Sequence, residues 1–173
     1  MTFARIMSGS GRHSGVAGMG GFTFIELMMT LALMAVLATV AVPMVQLVTQ
    51  RHKEHDLRAA LAEIREALDA YKRAVDQGDI HLVPGESGYP KSLDQLVEGV
   101  ESQRDPNKRK LYFLRRLPRD PMNTDDALQP SSRSWGMRSY ASPADLPAEG
   151  EDVFDVYSRS DKMGLNGVPY RQW

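Results

Sequence analysis

Gly20-Gly21-Phe22-Thr23-Phe24-Ile25-Glu26-Leu27 opens an apolar run that carries one carboxylate and then no further charge until Arg51. From Leu27 to Val45 the only side chains that are not apolar are Thr30 and Thr39, and Phe22 to Ile25 with Leu47 and Val48 lengthen the stretch. About 20 apolar residues suffice to cross a bilayer as a helix. Arg5 and Arg12 precede the run without any acid, so the positive-inside bias predicts a cytoplasmic N-terminus and an exported C-terminal part. The run exceeds the apolar core of an ordinary secretory signal, even though Thr39-Val40-Ala41 would pass as a cleavage tripeptide. An acid at the mouth of a span is costly and marks a functional position.

The whole chain has 173 residues, a formal net charge of −1 and 42% hydrophobic residues, which fits one small domain plus an apolar segment that such a domain does not need. It has no cysteine, which excludes disulfides and thiolate metal sites. Residues 22 to 173 hold 19 Lys and Arg against 22 Asp and Glu, a net −3 that offers nucleic acid no general attraction.

Gly21-Phe22-Thr23-Phe24-Ile25-Glu26-Leu27 closely resembles the processing signal of prepilins and pseudopilins, the subunits of type IV pili and type II secretion systems. The resemblance implies cleavage between Gly21 and Phe22 by a membrane-embedded prepilin peptidase, N-methylation of Phe22, and retention of the span. It also implies that Glu26 pairs with the Phe22 amine of a neighbouring subunit during assembly. The physics agrees: an opposite charge offsets the cost of placing a carboxylate near lipid. A glycine at the cut site lets the backbone take the extended form that a protease grips.

Beyond the span, Pro43 interrupts the helical pattern and predicts a kink or melted turn at residues 39 to 43. Leu57, Leu61, Ile64, Leu68, Tyr71 and Val75 then recur at spacings of four and three, one face of an amphipathic helix that docks on its own domain. Arg58, Glu63, Arg65, Glu66, Asp69, Arg73 and Asp76 form the opposite face, with Glu54–Arg58 and Asp69–Arg73 at the favourable acid-first spacing. Gly78 is the expected C-cap. Phe22 to Gln77 would make one helix of about 80 Å. Ser92-Leu93-Asp94-Gln95 reads as a capping box opening a short helix that ends near Gly99. A basic, Pro-punctuated segment follows, with an apolar patch at Leu111 to Leu114. Strands are expected at Met137 to Ala141 and Val153 to Ser158, with a third short one in the Met163 to Trp173 tail.

The predicted fold is α+β: a long N-terminal helix, membrane-spanning in its first half, packed by its second half on a small antiparallel sheet of two to four strands. The expected parts are a cleaved cytoplasmic leader (1–21), a membrane or filament-core helix (22–48), an amphipathic continuation (49–77) and a periplasmic head (78–173). Tyr89-Pro90, Leu117-Pro118-Arg119-Asp120-Pro121, Trp135-Gly136 and Asp155-Val156-Tyr157-Ser158 narrow the resemblance to the major pseudopilin of type II secretion. In that family the Pro and the Trp-Gly are contiguous, whereas here Met122 to Ser134 separate them.

The family also holds calcium in its tail with paired Asp residues. This chain offers Asp161 and Asn166 with Lys162 beside them, a poor oxygen cage, so no cofactor is expected and Tyr170, Trp173 and Pro169 pack the loop instead. His52 and His55 read as a solvated helix face rather than a metal pair. The cluster Arg104, Lys108, Arg109, Lys110, Arg115, Arg116 and Arg119, interleaved with Tyr112 and Phe113, reads as a solvated face meeting acids of another subunit such as Glu149, Glu151 or Asp152. DNA is the alternative partner. No nucleophile elbow, P-loop, dinucleotide fingerprint or H-E-x-x-H is present, so no catalytic residue is expected.

The resemblance therefore implies a filament subunit whose partners are itself, other pseudopilins, prepilin peptidase and an inner-membrane assembly platform. Its location would be the bacterial inner membrane, single-pass, and then the periplasmic pseudopilus. A type IV pilin and a singly anchored periplasmic binding module are the rival readings.

Overall fold

The computed structural model describes residues 21–123 and 128–173. The expected cytoplasmic leader, residues 1–21, lies outside the described residues except for Gly21. Helix α1 spans Phe24–Asp76 and α2 spans Asp94–Glu98. Strands β1 (Val100–Glu101) and β2 (Lys110–Leu111) pair antiparallel, as do β3 (Trp135–Arg138) and β4 (Asp155–Ser158). Short 3-10 helices occupy Ser131–Ser134 and Tyr170–Gln172. The chain divides after Pro43, with the described residues 21–43 in one unit and Met44–Trp173 in the other.

The architecture is α+β with one long N-terminal helix, but the strands form two separate two-stranded sheets rather than one. The first sheet was not legible from alternation, because each strand is two residues long. Its turn is made by Asp105, whose Oδ1 accepts the Asn107 N–H at 2.9 Å, and by Lys108 at φ 49°. In the second sheet Trp135 pairs with Ser158 and Arg138 with Asp155. That strand starts two residues before the expected Met137 and stops before Ala141. The tail forms no strand. Met163 and Pro169 make a single bridge, and the chain then turns into the second 3-10 helix.

In the second unit, the predicted stripe of Leu57, Leu61, Ile64, Leu68, Tyr71 and Val75 is buried. It packs into one core with Leu93, Leu96, Trp135, Val153, Val156 and Tyr170. Each such side chain contributes roughly 1.5–3 kcal/mol by leaving water. α1 ends as expected at Gly78, which takes φ 78° and donates its N–H to Val75 O while Asp79 N–H reaches back to Ala74 O. That pair of bonds is a Schellman cap. Ser92 does not cap α2 with its side chain; Gln95 instead accepts the Lys91 N–H at 2.9 Å. Gly136 is required by packing, since a Cβ there would stand 2.3 Å from the Tyr157 ring.

Residues Met122 to Ser134, of which 124–127 lie outside the described residues, do not dislodge the tryptophan: Trp135 Nε1 donates to Pro118 O at 2.9 Å. Buried Asp120 accepts the Ser158 hydroxyl at 2.6 Å and the Met122 N–H at 2.8 Å, tying the Pro-Asp-Pro turn to β4. Arg65, placed by its spacing on the solvent face, is half-buried and ties α1 to β4. It donates to Asp155 Oδ1 at 2.8 Å, to Val156 O at 3.2 Å and to Trp173 O at 2.9 Å. Asp69 and Arg73 do not form an ion pair, whereas Lys72 and Asp76 do.

Candidate functional site

The first candidate site is the apolar segment. Thr23 stands just outside α1 and its Oγ1 accepts the Glu26 N–H at 3.3 Å, so Thr23 acts as an N-cap. Thr23 and Glu26 also have the capping-box spacing, a signal the sequence reading passed over. Glu26 lies in the first helical turn and forms no ion pair among the described residues. A carboxylate near the positive end of the helix dipole gains about 0.3–1 kcal/mol. On insertion scales an acid at the centre of a span costs about 2.5–3.5 kcal/mol, more than the dipole returns.

Every described side chain from Phe22 to Val48 is exposed, including Phe22 at 83%, Ile25 at 76% and Leu37 at 70%. Water does not tolerate so large a contiguous apolar surface. The threonine hydroxyls in and just after it are satisfied locally: Thr30 donates to Leu27 O at 2.9 Å, Thr39 to Val36 O at 2.6 Å and Thr49 to Val45 O at 2.9 Å. Such internal satisfaction is what a lipid environment demands. The helix is long and apolar enough to cross a membrane, with mean hydropathy 2.3 over its most apolar window. Residues 39 to 43 remain helical, so no melted turn forms there; the ring of Pro43 lies outside the described residues.

The second site is in the head, where the sequence suggested calcium ligands. Asp161 is 87% exposed and faces Arg171 at 3.8 Å. Asn166 uses its Oδ1 to accept the Val168 N–H at 3.1 Å. The loop they belong to is held by Glu54 of α1, which is 4% exposed. Its Oε1 accepts the Leu165 N–H at 2.7 Å and the Tyr170 hydroxyl at 2.9 Å, and Arg58 stands 3.9 Å from its other oxygen. Gln50 Nε2 donates to Tyr170 Oη at 2.9 Å and lies 3.4 Å from Met163 O. Burial raises the Tyr170 pKa above its ordinary value, with the Gln50 bond opposing and the Glu54 carboxylate adding to the rise. Tyr170 packs edge-on to Trp173, and Arg58 lies 4.3 Å over the Trp173 ring.

Comparison with family models, curated proteins and solved structures gives no match.

The remaining sequence candidates separate. His52 and His55 are exposed, and His55 stands 3.8 Å from Asp56. In the basic cluster, Arg104 faces Asp79 at 3.4 Å, Arg109 faces Asp105 at 2.5 Å, and Lys110 donates to Glu98 O at 3.2 Å. Phe113 packs on Tyr71 at 5.3 Å, leaving Tyr112 as the exposed ring. Those cations are therefore largely engaged with their own chain. Of the acids named as their partners, Glu149 is bound by Arg159 at 3.0 Å. Burial acts to raise the Asp152 pKa, but bonds from Ser139, Ser87 and the Tyr140 N–H outweigh it and hold that carboxyl below its ordinary range.

Proposed function

We propose that this chain is a structural subunit of a type II secretion pseudopilus. The observation that carries the proposal is the exposure of every described side chain in the apolar stretch from Phe22 to Val48, headed by the Gly21-Phe22 junction and by an acid with no ion-pair partner among the described residues. Prepilin peptidase removes residues 1–21 and methylates Phe22. The mature subunit waits in the inner membrane with its head in the periplasm. Glu26 then meets the Phe22 amine of a neighbour as an assembly platform adds subunits, so the apolar helices form the filament core and the heads its outer surface. Other pseudopilins share that filament. The chain does no chemistry; the energy that extends the filament comes from another protein.

This cysteine-free chain permits a direct test of polymerisation. With Leu31→Cys and Leu37→Cys in the producing cell, oxidation of intact membranes should yield a ladder of subunit multiples. Monomer alone would contradict the proposal and favour a singly anchored module.

A further inference from the structure

The loop that Glu54 holds lies beside the end of the apolar run. Its backbone is fastened to Gln50 and Glu54, two and six residues beyond Val48, so it sits about 3 to 9 Å past the last apolar turn at 1.5 Å per residue. The headgroup layer extends roughly 5–8 Å beyond the hydrocarbon on each side. At that level the loop exposes Met163 (56%) and Leu165 (43%) beside the exposed side chains of Lys162 and Asn166. A groove of about 500 Å³ separates the helix residues Val45, Thr49 and Lys53 from Met122, Lys162 and Met163. Arg51, also exposed, adds a cation on the same helical turn. Of the nearby acids, Glu54 spends its carboxylate inward, Asp161 faces Arg171 and Asp56 faces His55. Lys53, Lys162 and Arg51 have no ion-pair partner among the described residues.

An apolar surface rimmed by cations at this depth is the pattern of an interfacial contact. We propose that the 161–169 loop docks on the bilayer that holds the apolar run, with Lys53 and Lys162 binding the phosphodiesters of anionic phospholipids. The inference rests on the reading of that run as a membrane span. Docking would hold the waiting subunit in one orientation, and the loop would leave the lipid when the subunit is drawn into a filament.

The test uses the full chain in vesicles of phosphatidylcholine, with or without phosphatidylglycerol, and nitroxide labels at Leu165→Cys, Tyr112→Cys and Val36→Cys. With phosphatidylglycerol, the Leu165 label should be accessible to oxygen and shielded from a water-soluble nickel relaxant, while the Tyr112 label stays in water. A basic residue at an anionic surface is worth about fivefold, so Lys53→Gln with Lys162→Gln should lower the docked-to-free ratio about 25-fold. A Leu165 label in water beside a Val36 label in lipid would overturn the docking and leave the span intact. Both labels in water would overturn the span and the docking with it. A Leu165 label shielded from both reagents as subunit density rises would show a second copy on the loop and overturn the lipid reading.

Discussion

Glu26→Ala is expected to abolish the ladder of cross-linked multiples while leaving as much monomer in the membrane as the unsubstituted chain. The two outcomes separate because the acid acts differently in the two states. In the lone subunit Glu26 gains only its place near the helix dipole, since Thr23 caps the helix with or without the carboxylate. Removing the acid therefore costs insertion nothing and makes the segment more apolar. In a filament the same carboxylate would face a neighbour's ammonium in lipid, and leaving one member of such a pair without the other costs about 3–5 kcal/mol. That loss lowers association by roughly a hundredfold or more at each junction. Glu26→Asp keeps the charge on a shorter stem and should recover part of the ladder. An unchanged ladder in Glu26→Ala would mean that packing of the apolar faces suffices and that the acid is only a helix-end residue.

Glu54→Ala is expected to release the tail loop and lower the stability of the head by about 2–4 kcal/mol. A buried carboxylate that accepts bonds from the Leu165 amide and the Tyr170 hydroxyl is lost, and both donors are left without it. Hydrogen bonds to charged groups contribute about 1.5–3 kcal/mol each, and orphaned donors add a desolvation cost. In a domain of this size, that should lower the thermal midpoint by roughly 5 to 15 °C. Glu54→Gln retains an accepting oxygen and should cost about half as much. Amide exchange of the detergent-solubilised full chain reads the local effect: Leu165 should lose its protection in Glu54→Ala, while the Val153 and Phe154 amides, bonded to Pro90 O and Arg138 O, keep most of theirs. Retained protection at Leu165 would show that the packing of Tyr170 and Trp173 holds the loop without the carboxylate.

The contrast between Glu54 and its neighbours shows where a sequence is readable. The stripe from Leu57 to Val75 was legible because apolar spacing and burial are the same fact in an amphipathic helix. Glu54 lies three residues before Leu57, in step with that stripe, but its spacing to Arg58 suggested a surface ion pair. The ion pair is long at 3.9 Å, and the buried partners come from residues more than a hundred positions away. No local pattern announces such partners. Gly78 was legible because a positive φ and a helix end coincide there. Strands β1 and β2 were not, because two residues cannot display alternation and their pairing depends on the turn at Asp105. The tail suggested a third short strand, whereas Pro169 and Tyr170 turn it into a 3-10 helix whose Tyr170 hydroxyl donates to the Glu54 carboxylate. In the apolar segment the Gly21-Phe22 junction and Glu26 stood out in the sequence. The capping role of Thr23 needed the helix start to be located.

The central claim is that Phe22 becomes the mature N-terminus, because the proposed partner of Glu26 exists only after that cut. Mass spectrometry of the N-terminal peptide from membrane-extracted protein tests it most directly. The expected result is a peptide beginning at Phe22 and carrying one added methyl group. A chain beginning at Met1, or one beginning after Ala41, would contradict the account.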